Sequence, residues 1–294
     1  MSSSKTYKEI PITLNTPVTG QLNAVSTLFP SGMQLVPGTQ VALKKVLLNY
    51  SWFNITAAYG NNTFSYIYEG NTRAVTIKDG FYDAAGLNNA LQFAMGQNGD
   101  YLVDNNSVNQ YYLAILVNPT YYGISIQATP TPTALPTGWT VGKKTTDGSA
   151  GTSLNAAGKT PQFIVNNTAF GKLIGYSNQT YPSGLQSVQV STVGDKVPQM
   201  SIINAISLNC NFVSPSNFNV STPQSILIFS PSNTSFGSQI NIEPVNYSWY
   251  DCSNGYFQSV QCWFTDSTTG AALPNLDNAG GSIIVTLILR IPDS

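Results

Sequence analysis

The chain has 294 residues, enough to bury a substantial core, and its 42% hydrophobic and 11% aromatic content marks a globular protein, not a disordered one. Only 9% of residues are charged and the formal net charge is −1. Lys44–Lys45 and Lys143–Lys144 are the only adjacent basic pairs, so nothing forms a basic arm for phosphates and direct nucleic-acid binding is not expected.

The N-terminal MSSSKTYKEI is polar and lacks the apolar core of a signal peptide, so a reducing site of synthesis is expected. EIPITL places Ile10, Ile12 and Leu14 on one face at period two, as a strand does. QLNAVSTLF predicts a second extended segment, closed by Pro30-Ser31-Gly32. Val41 to Ile55 reads as one long bent strand or two. SYIYEG and RAVTIKDG form a predicted hairpin around Gly70-Asn71.

A helix is predicted directly after that hairpin. Asp79-Gly80 turns the chain, and Tyr82 follows in a Gly-x-Tyr unit. Asp83 is a good N-cap, because its carboxylate accepts from free N–H groups of the first turn. Leu87, Ala90, Leu91, Ala94 and Met95 then recur at i, i+3, i+4, i+7 and i+8. Gly96 is placed to end the helix. Gly86 and two asparagines weaken its intrinsic propensity by about 1 kcal/mol or more, so packing onto a sheet must hold it. The face carrying Asn88 is expected to point away from that sheet.

Two β runs, Tyr111 to Val117 and Tyr121 to Ala128, flank a turn at Asn118-Pro119-Thr120. Thr129 to Lys159 is rich in Pro, Gly, Thr and Ala and predicts a long exposed loop. PQFIV is a short strand, and Phe170 to Gly184 a turn or short helical piece closed by Pro182. The rest reads as strands: LQSVQVSTV, MSIINAISLNCNFV, QSILIFS, SQINIEP, YFQSVQCWFTD and SIIVTLILRI. No apolar run reaches the roughly 20 residues of a membrane span. Many short strands with frequent turns predict an all-β sandwich or barrel.

Chemistry is scarce along this chain. There is no histidine, which removes His-activated nucleophiles, His metal sites and the commonest general base. Cys210, Cys252 and Cys262 form no CxxC, so neither zinc nor any other cofactor is expected; an odd count is not a disulfide framework, although Cys252 and Cys262 are placed to face each other across strands. Glu243, Asp251 and Asp266 are the one carboxylate cluster in neighbouring elements, and the bland reading is of solvated loop-end acids. Asp104-Asn105-Asn106 starts like a calcium loop but lacks its Gly and distal Glu, which favours a turn. Tyr111, Tyr112, Tyr121, Tyr122, Tyr247, Trp249 and Tyr250 offer either a sugar-stacking platform or core and subunit-interface contacts. Eight N-x-S/T sequons, at Asn54, Asn61, Asn105, Asn166, Asn178, Asn219, Asn233 and Asn246, reflect the Asn/Ser/Thr-rich composition.

The order of three units carries a family resemblance. A strand ending in TIKDGFYD leads into LNNALQFA; FGKLIGYSNQTYP follows a loop-rich region; CWFTDSTTG precedes the final apolar strand IIVTLILRI. This order resembles the minor capsid, or penton, proteins of virophages and polinton-like double-stranded DNA viruses. The resemblance implies a single jelly-roll sandwich of two antiparallel sheets, with inserted loops, an extra β region at about 54–159 and one short amphipathic helix. It implies a homopentamer at the five-fold vertices of an icosahedral capsid, beside capsomers of a separate major capsid protein, and hence a place in the virion after assembly in the host cytoplasm or a viral factory. It supplies no catalytic, metal or cofactor residue. Asp79, Gly80, Tyr82, Asp83, Leu87 and Leu91 are structural, and the interface residues stay unassigned. The competing reading is a carbohydrate- or receptor-binding β-sandwich. Poor surface charge suits burial against sister subunits, because charge is what ordinarily keeps a monomer apart from its copies.

Overall fold

The computed structural model describes residues 6–156, 158–215, 224–231, 234–273, 276 and 282–293. The chain divides into two compact units, residues 1–52 with 203–294 and residues 53–202. In chain order the first unit contributes β1 (Tyr7–Leu14), β2 (Thr16–Val18), β3 (Gln21–Leu35) and β4 (Gln40–Asn49). The second unit follows with β5 (Thr63–Tyr68), β6 (Asn71–Thr76), α1 (Ala84–Asn98), β7 (Leu102–Val103), β8 (Asn109–Gln110), β9 (Leu113–Asn118) and β10 (Gly123–Ala128). It continues through β11 (Thr140–Val141), β12 (Gln162–Ile164), α2 (Thr168–Ile174), β13 (Thr180–Tyr181) and β14 (Val190–Val193). The chain then returns to the first unit with β15 (Ile206–Cys210), β16 (Ser225–Phe229), β17 (Gln239–Ile242), β18 (Tyr250–Asp251), β19 (Gly255–Asp266) and β20 (Ile284–Pro292).

The first unit holds two antiparallel sheets. One runs β1-β20-β4-β17, with β18 on the other end of β4; the other runs β16-β15-β19-β3-β2. Counting its eight principal strands in chain order, the first, eighth, third and sixth share one sheet and the fifth, fourth, seventh and second share the other. Alternation decides what is buried: in β20 Val285, Leu287 and Leu289 point inward, and in β19 Val260, Cys262 and Phe264 do. β3 runs through the predicted Pro30-Ser31-Gly32 stop to Leu35, and the stop survives as a bulge opposite Phe257–Ser259. Gly32 takes φ +68° there with the Tyr256 ring against it, and the Tyr256 hydroxyl donates to the Ser31 carbonyl at 2.7 Å. The positive φ favours glycine here, and a side chain at this position would have to displace that ring. From Val41 to Ile55 only the part up to Asn49 is strand; the Tyr50 and Trp52 rings then lie against each other, tilted by 33°, at 4.3 Å between centroids.

The second unit holds three small sheets, ordered β14-β10-β9, β11-β7-β8 and β13-β12-β5-β6. Five sheets exceed the two of the expected sandwich, and two α-helices, not one, lie among the described residues. The second, α2, is short but well terminated: the Asn167 side chain accepts from Ala169 and Phe170 N–H, and Gly175 closes it in the left-handed conformation. Aromatic residues fill the core: Phe64, Phe163 and Phe170 stack on one another, and Tyr66, Tyr68 and Tyr176 are buried beside them.

Candidate assembly surface

The start of α1 is built by Asn54, which the sequence marked only as a sequon. Its side-chain amide donates to the carbonyls of Tyr82 (2.7 Å) and Met200 (3.0 Å), and its carbonyl accepts from Tyr82 N–H (2.8 Å). Asn61 repeats the device one turn away, donating to the Asn54 carbonyl and accepting from Thr56 N–H. Both asparagines are buried. These two sequons are therefore parts of the fold and closed to glycan attachment in the folded chain, whereas Asn219 and Asn233 lie outside the described residues.

Of the six residues named from sequence, Asp79, Gly80, Tyr82 and Asp83 lie at this start, and Leu87 and Leu91 follow on the buried face of α1. Asp79 accepts from Ala57 N–H at 2.8 Å, and Gly80 exchanges backbone hydrogen bonds with Ile55. The Tyr82 ring lies where a side chain on Gly80 would be, and its hydroxyl donates to the Lys78 carbonyl at 2.9 Å. Asp83 caps α1 by accepting from Gly86 N–H at 2.7 Å. Leu87 and Leu91 are wholly buried in the core of the second unit, each contributing about 2 kcal/mol by removal from water.

Two details of the helix differ from expectation. It does not end at Gly96, which is buried near the Tyr111 hydroxyl; it runs to Asn98, and Gly99 with φ +68° supplies the left-handed cap. Asn88 does not face solvent. Its side-chain carbonyl accepts from Ile115 N–H on β9 at 2.9 Å.

The long loop 129–159 is held by two buried carboxylates. Glu69 accepts from the Thr131 hydroxyl at 2.7 Å and from the backbone N–H groups of Asn155 and Ala156. Asp100 accepts from Tyr66 at 2.8 Å, from Arg73 at 3.2 Å and from the Thr152 hydroxyl. β11 lies within this loop and pairs with β7. The expected exposed loop is largely exposed, and these bonds pin it to the second unit. Glu69 also shifts the hairpin turn to Glu69-Gly70, where both residues take positive φ, 49° and 78°.

The remaining candidates do not converge. Glu243 pairs with Lys45, Asp251 accepts from the Gln40 amide, and Asp266 accepts from Thr268 N–H in its own turn. Asp104 accepts from the Val108 and Asn106 N–H groups and from Gln110; these bonds, Val108 foremost, hold its carboxyl below the usual carboxylate range, and it forms a turn. No group of three potential metal ligands exists among the described residues. The aromatics divide: Tyr111 packs on Tyr101, Trp249 lies against the partly exposed Tyr247 and under the Arg290 guanidinium, and Tyr121 and Tyr122 stand out furthest. Cys252 and Cys262 do not pair; Cys210 is the residue opposite Cys262. Burial pushes the Cys252 thiol up to about 12, and burial followed by a hydrogen bond with Cys210 raises Cys262.

What the molecule does offer is exposed apolar surface. At the β9–β10 tip Tyr122 is 89% exposed and held at φ 48° by a short 3-10 turn, Pro119–Tyr121, with Val117 and Tyr121 exposed beside it. Next to them Phe81, Pro119, Pro198 and Met200 help line a cleft of about 400 Å³. In the first unit, the face of the β16-β15-β19-β3-β2 sheet opposite its core residues exposes Leu22, Leu28 and Ile228. Side chains of this kind lose nothing by being covered.

No family model matches the chain, and no curated protein matches it. Among solved structures it is similar to the mavirus penton protein, with a TM-score of 0.48 at 11% identity over 98% of this chain and 100% of that one. It is also similar to a chain in the cryo-EM structure of the Sputnik virophage, with a TM-score of 0.43 at 11% identity over 98% of each chain.

Proposed function

We propose that this chain is a structural capsid protein whose first unit is a single jelly roll, and that five copies form a ring at the five-fold vertices of an icosahedral shell. The observation that carries the reading is the strand order of the first unit. A jelly roll winds two Greek keys so that strands one, eight, three and six lie in one sheet and two, seven, four and five in the other, and that alternation matches the order of the eight principal strands. The motifs that resemble penton proteins supply the capsid assignment, and the charge-poor surface with its exposed apolar residues is what heterologous ring contacts need. On this reading the second unit, 53–202, is an insertion between the third and fourth strands of the roll; it extends past the 54–159 expected from sequence because β12, α2, β13 and β14 belong to it. The partners are four sister copies and the surrounding capsomers of a separate major capsid protein.

Native mass spectrometry and negative-stain imaging of the purified chain test this. Pentameric ions and five-membered rings are the expected result. A monomer that persists at high concentration and binds glycans would replace the capsid reading with the second one, a carbohydrate-binding module. Jelly rolls also build lectins, and the exposed Tyr121–Tyr122 pair beside its cleft is the observation that favours it.

A further inference from the structure

The buried face of the β15–β19 pair brings two cysteines together. Cys210 lies directly opposite Cys262 in an antiparallel register that holds from Ile206↔Asp266 onward. The hydrogen bonds flanking that register fix which type of pair this is. Ser267 N–H donates to the Ala205 carbonyl at 3.0 Å, outside the 206–266 pair, and Asn211 N–H donates to the Gln261 carbonyl at 3.1 Å, outside the 210–262 pair. Bonds placed outside a facing pair mark it as non-hydrogen-bonded, and the type alternates along the ladder, so 206–266, 208–264 and 210–262 are all of this kind. Such pairs hold their Cα atoms about 4.5 Å apart, within the span of about 4.4–6.8 Å that a disulfide tolerates. Both side chains point to the same buried face, since Ile206, Leu208 and Cys210 alternate in step with Phe264, Cys262 and Val260.

We propose that Cys210 and Cys262 form a latent cross-strand disulfide, a redox modification site that peroxide closes without rearranging the sheet. The step balances as one two-electron oxidation followed by a condensation. One thiol attacks hydrogen peroxide, becoming a sulfenic acid and releasing water; the second thiol attacks that sulfur, forming the S–S bond and releasing a second water. Overall, two thiols lose two hydrogens to one peroxide. Because both thiols are wholly buried, the first event waits for opening of the β16-β15-β19 edge, so closure is slow in the closed fold and quickens as the edge opens. Cys252 is the internal control. It is buried too, but its backbone bridges Val213, beyond the end of β15, and it stands opposite neither partner.

The test is peptide mapping of the whole chain after incubation with hydrogen peroxide, with and without sub-denaturing urea, followed by alkylation in denaturant without reductant. The expected product is a Cys210–Cys262 linked peptide pair with Cys252 still alkylated, formed severalfold faster in urea and unchanged in Cys252→Ala. The linked protein should also resist urea to a higher concentration than its reduced form. Links that include Cys252, or Cys210 and Cys262 both remaining alkylatable while an unfolded control oxidises, would overturn the proposal. The wild-type map alone decides the outcome, so it does not depend on any variant folding.

Discussion

Single side chains in this protein act at a distance in sequence, and Asn54 and Glu69 are the clearest cases. Asn54 satisfies backbone groups 28 and 146 residues away. Asn54→Ala leaves those groups buried and unpaired, which should cost about 2–3 kcal/mol, read as a lower urea midpoint. Glu69 occupies a turn position that Asn would fill with less strain, because its carboxylate is needed to hold the loop. Glu69→Asn should therefore keep the hairpin but make loop 129–159 several times more susceptible to limited proteolysis, with the circular dichroism spectrum retained. Buried phenols set an alkaline limit. Burial, reinforced by Asp100 for Tyr66 and by Glu69 for Tyr68, raises their pKa, and burial raises that of Tyr176. The folded pKa lies above the unfolded value of about 10, so the stabilisation is complete below that value and falls as pH rises above it. Urea midpoints should decline above about pH 10 while phenolate absorbance appears only on unfolding.

At the scale of elements, α1 shows what sequence can and cannot tell. Its apolar stripe and its Asp83 cap were legible because both are local and periodic. The role of Asn88 was not, because its partner is a backbone group on β9, whose position depends on tertiary folding. Gly96 and Gly99 look alike in sequence; what separates them in the fold is that Gly99 takes the left-handed conformation and its N–H bonds the Gly96 and Met95 carbonyls. In the first unit the strands were legible by alternation, but the pairing of β1 with β20 was not, since no local signal joins residues so far apart. For the same reason the facing of Cys210 and Cys262 escaped a reading limited to nearby cysteines. A pair of substitutions tests the helix. Asn89→Lys, on the exposed side, should change stability by less than about 0.5 kcal/mol, whereas Asn88→Lys should lose about 1–2 kcal/mol by stranding the Ile115 N–H. Leu91→Asp should prevent the second unit from folding, because a carboxylate would replace a wholly buried side chain.

For the whole molecule, the division into two units is a prediction about cooperativity. The buried aromatic cluster of the second unit draws all its members from within residues 53–202. A fragment of those residues should unfold in a single cooperative transition by calorimetry. If it were unfolded alone, the residues shown as its core would not be sufficient for it. The composition belongs to this scale as well. With 9% charge, little long-range repulsion separates copies in solution, so association should persist at both low and high salt in light scattering.

The wiring of β4 has a consequence for the order of events during synthesis. Every strand that pairs with β4 lies after residue 238, and the long partner of β3 begins at residue 255. The second unit, by contrast, has all its strands by residue 193. A ribosome therefore delivers a complete second unit while β3 and β4 still wait, open-edged, for partners not yet made. Open edges of this kind are where neighbouring chains cross-pair. The early-folding middle unit spaces the two halves of the late-folding one and shortens the effective search between them, since residues 52 and 203 are joined through a folded body instead of 150 residues of coil.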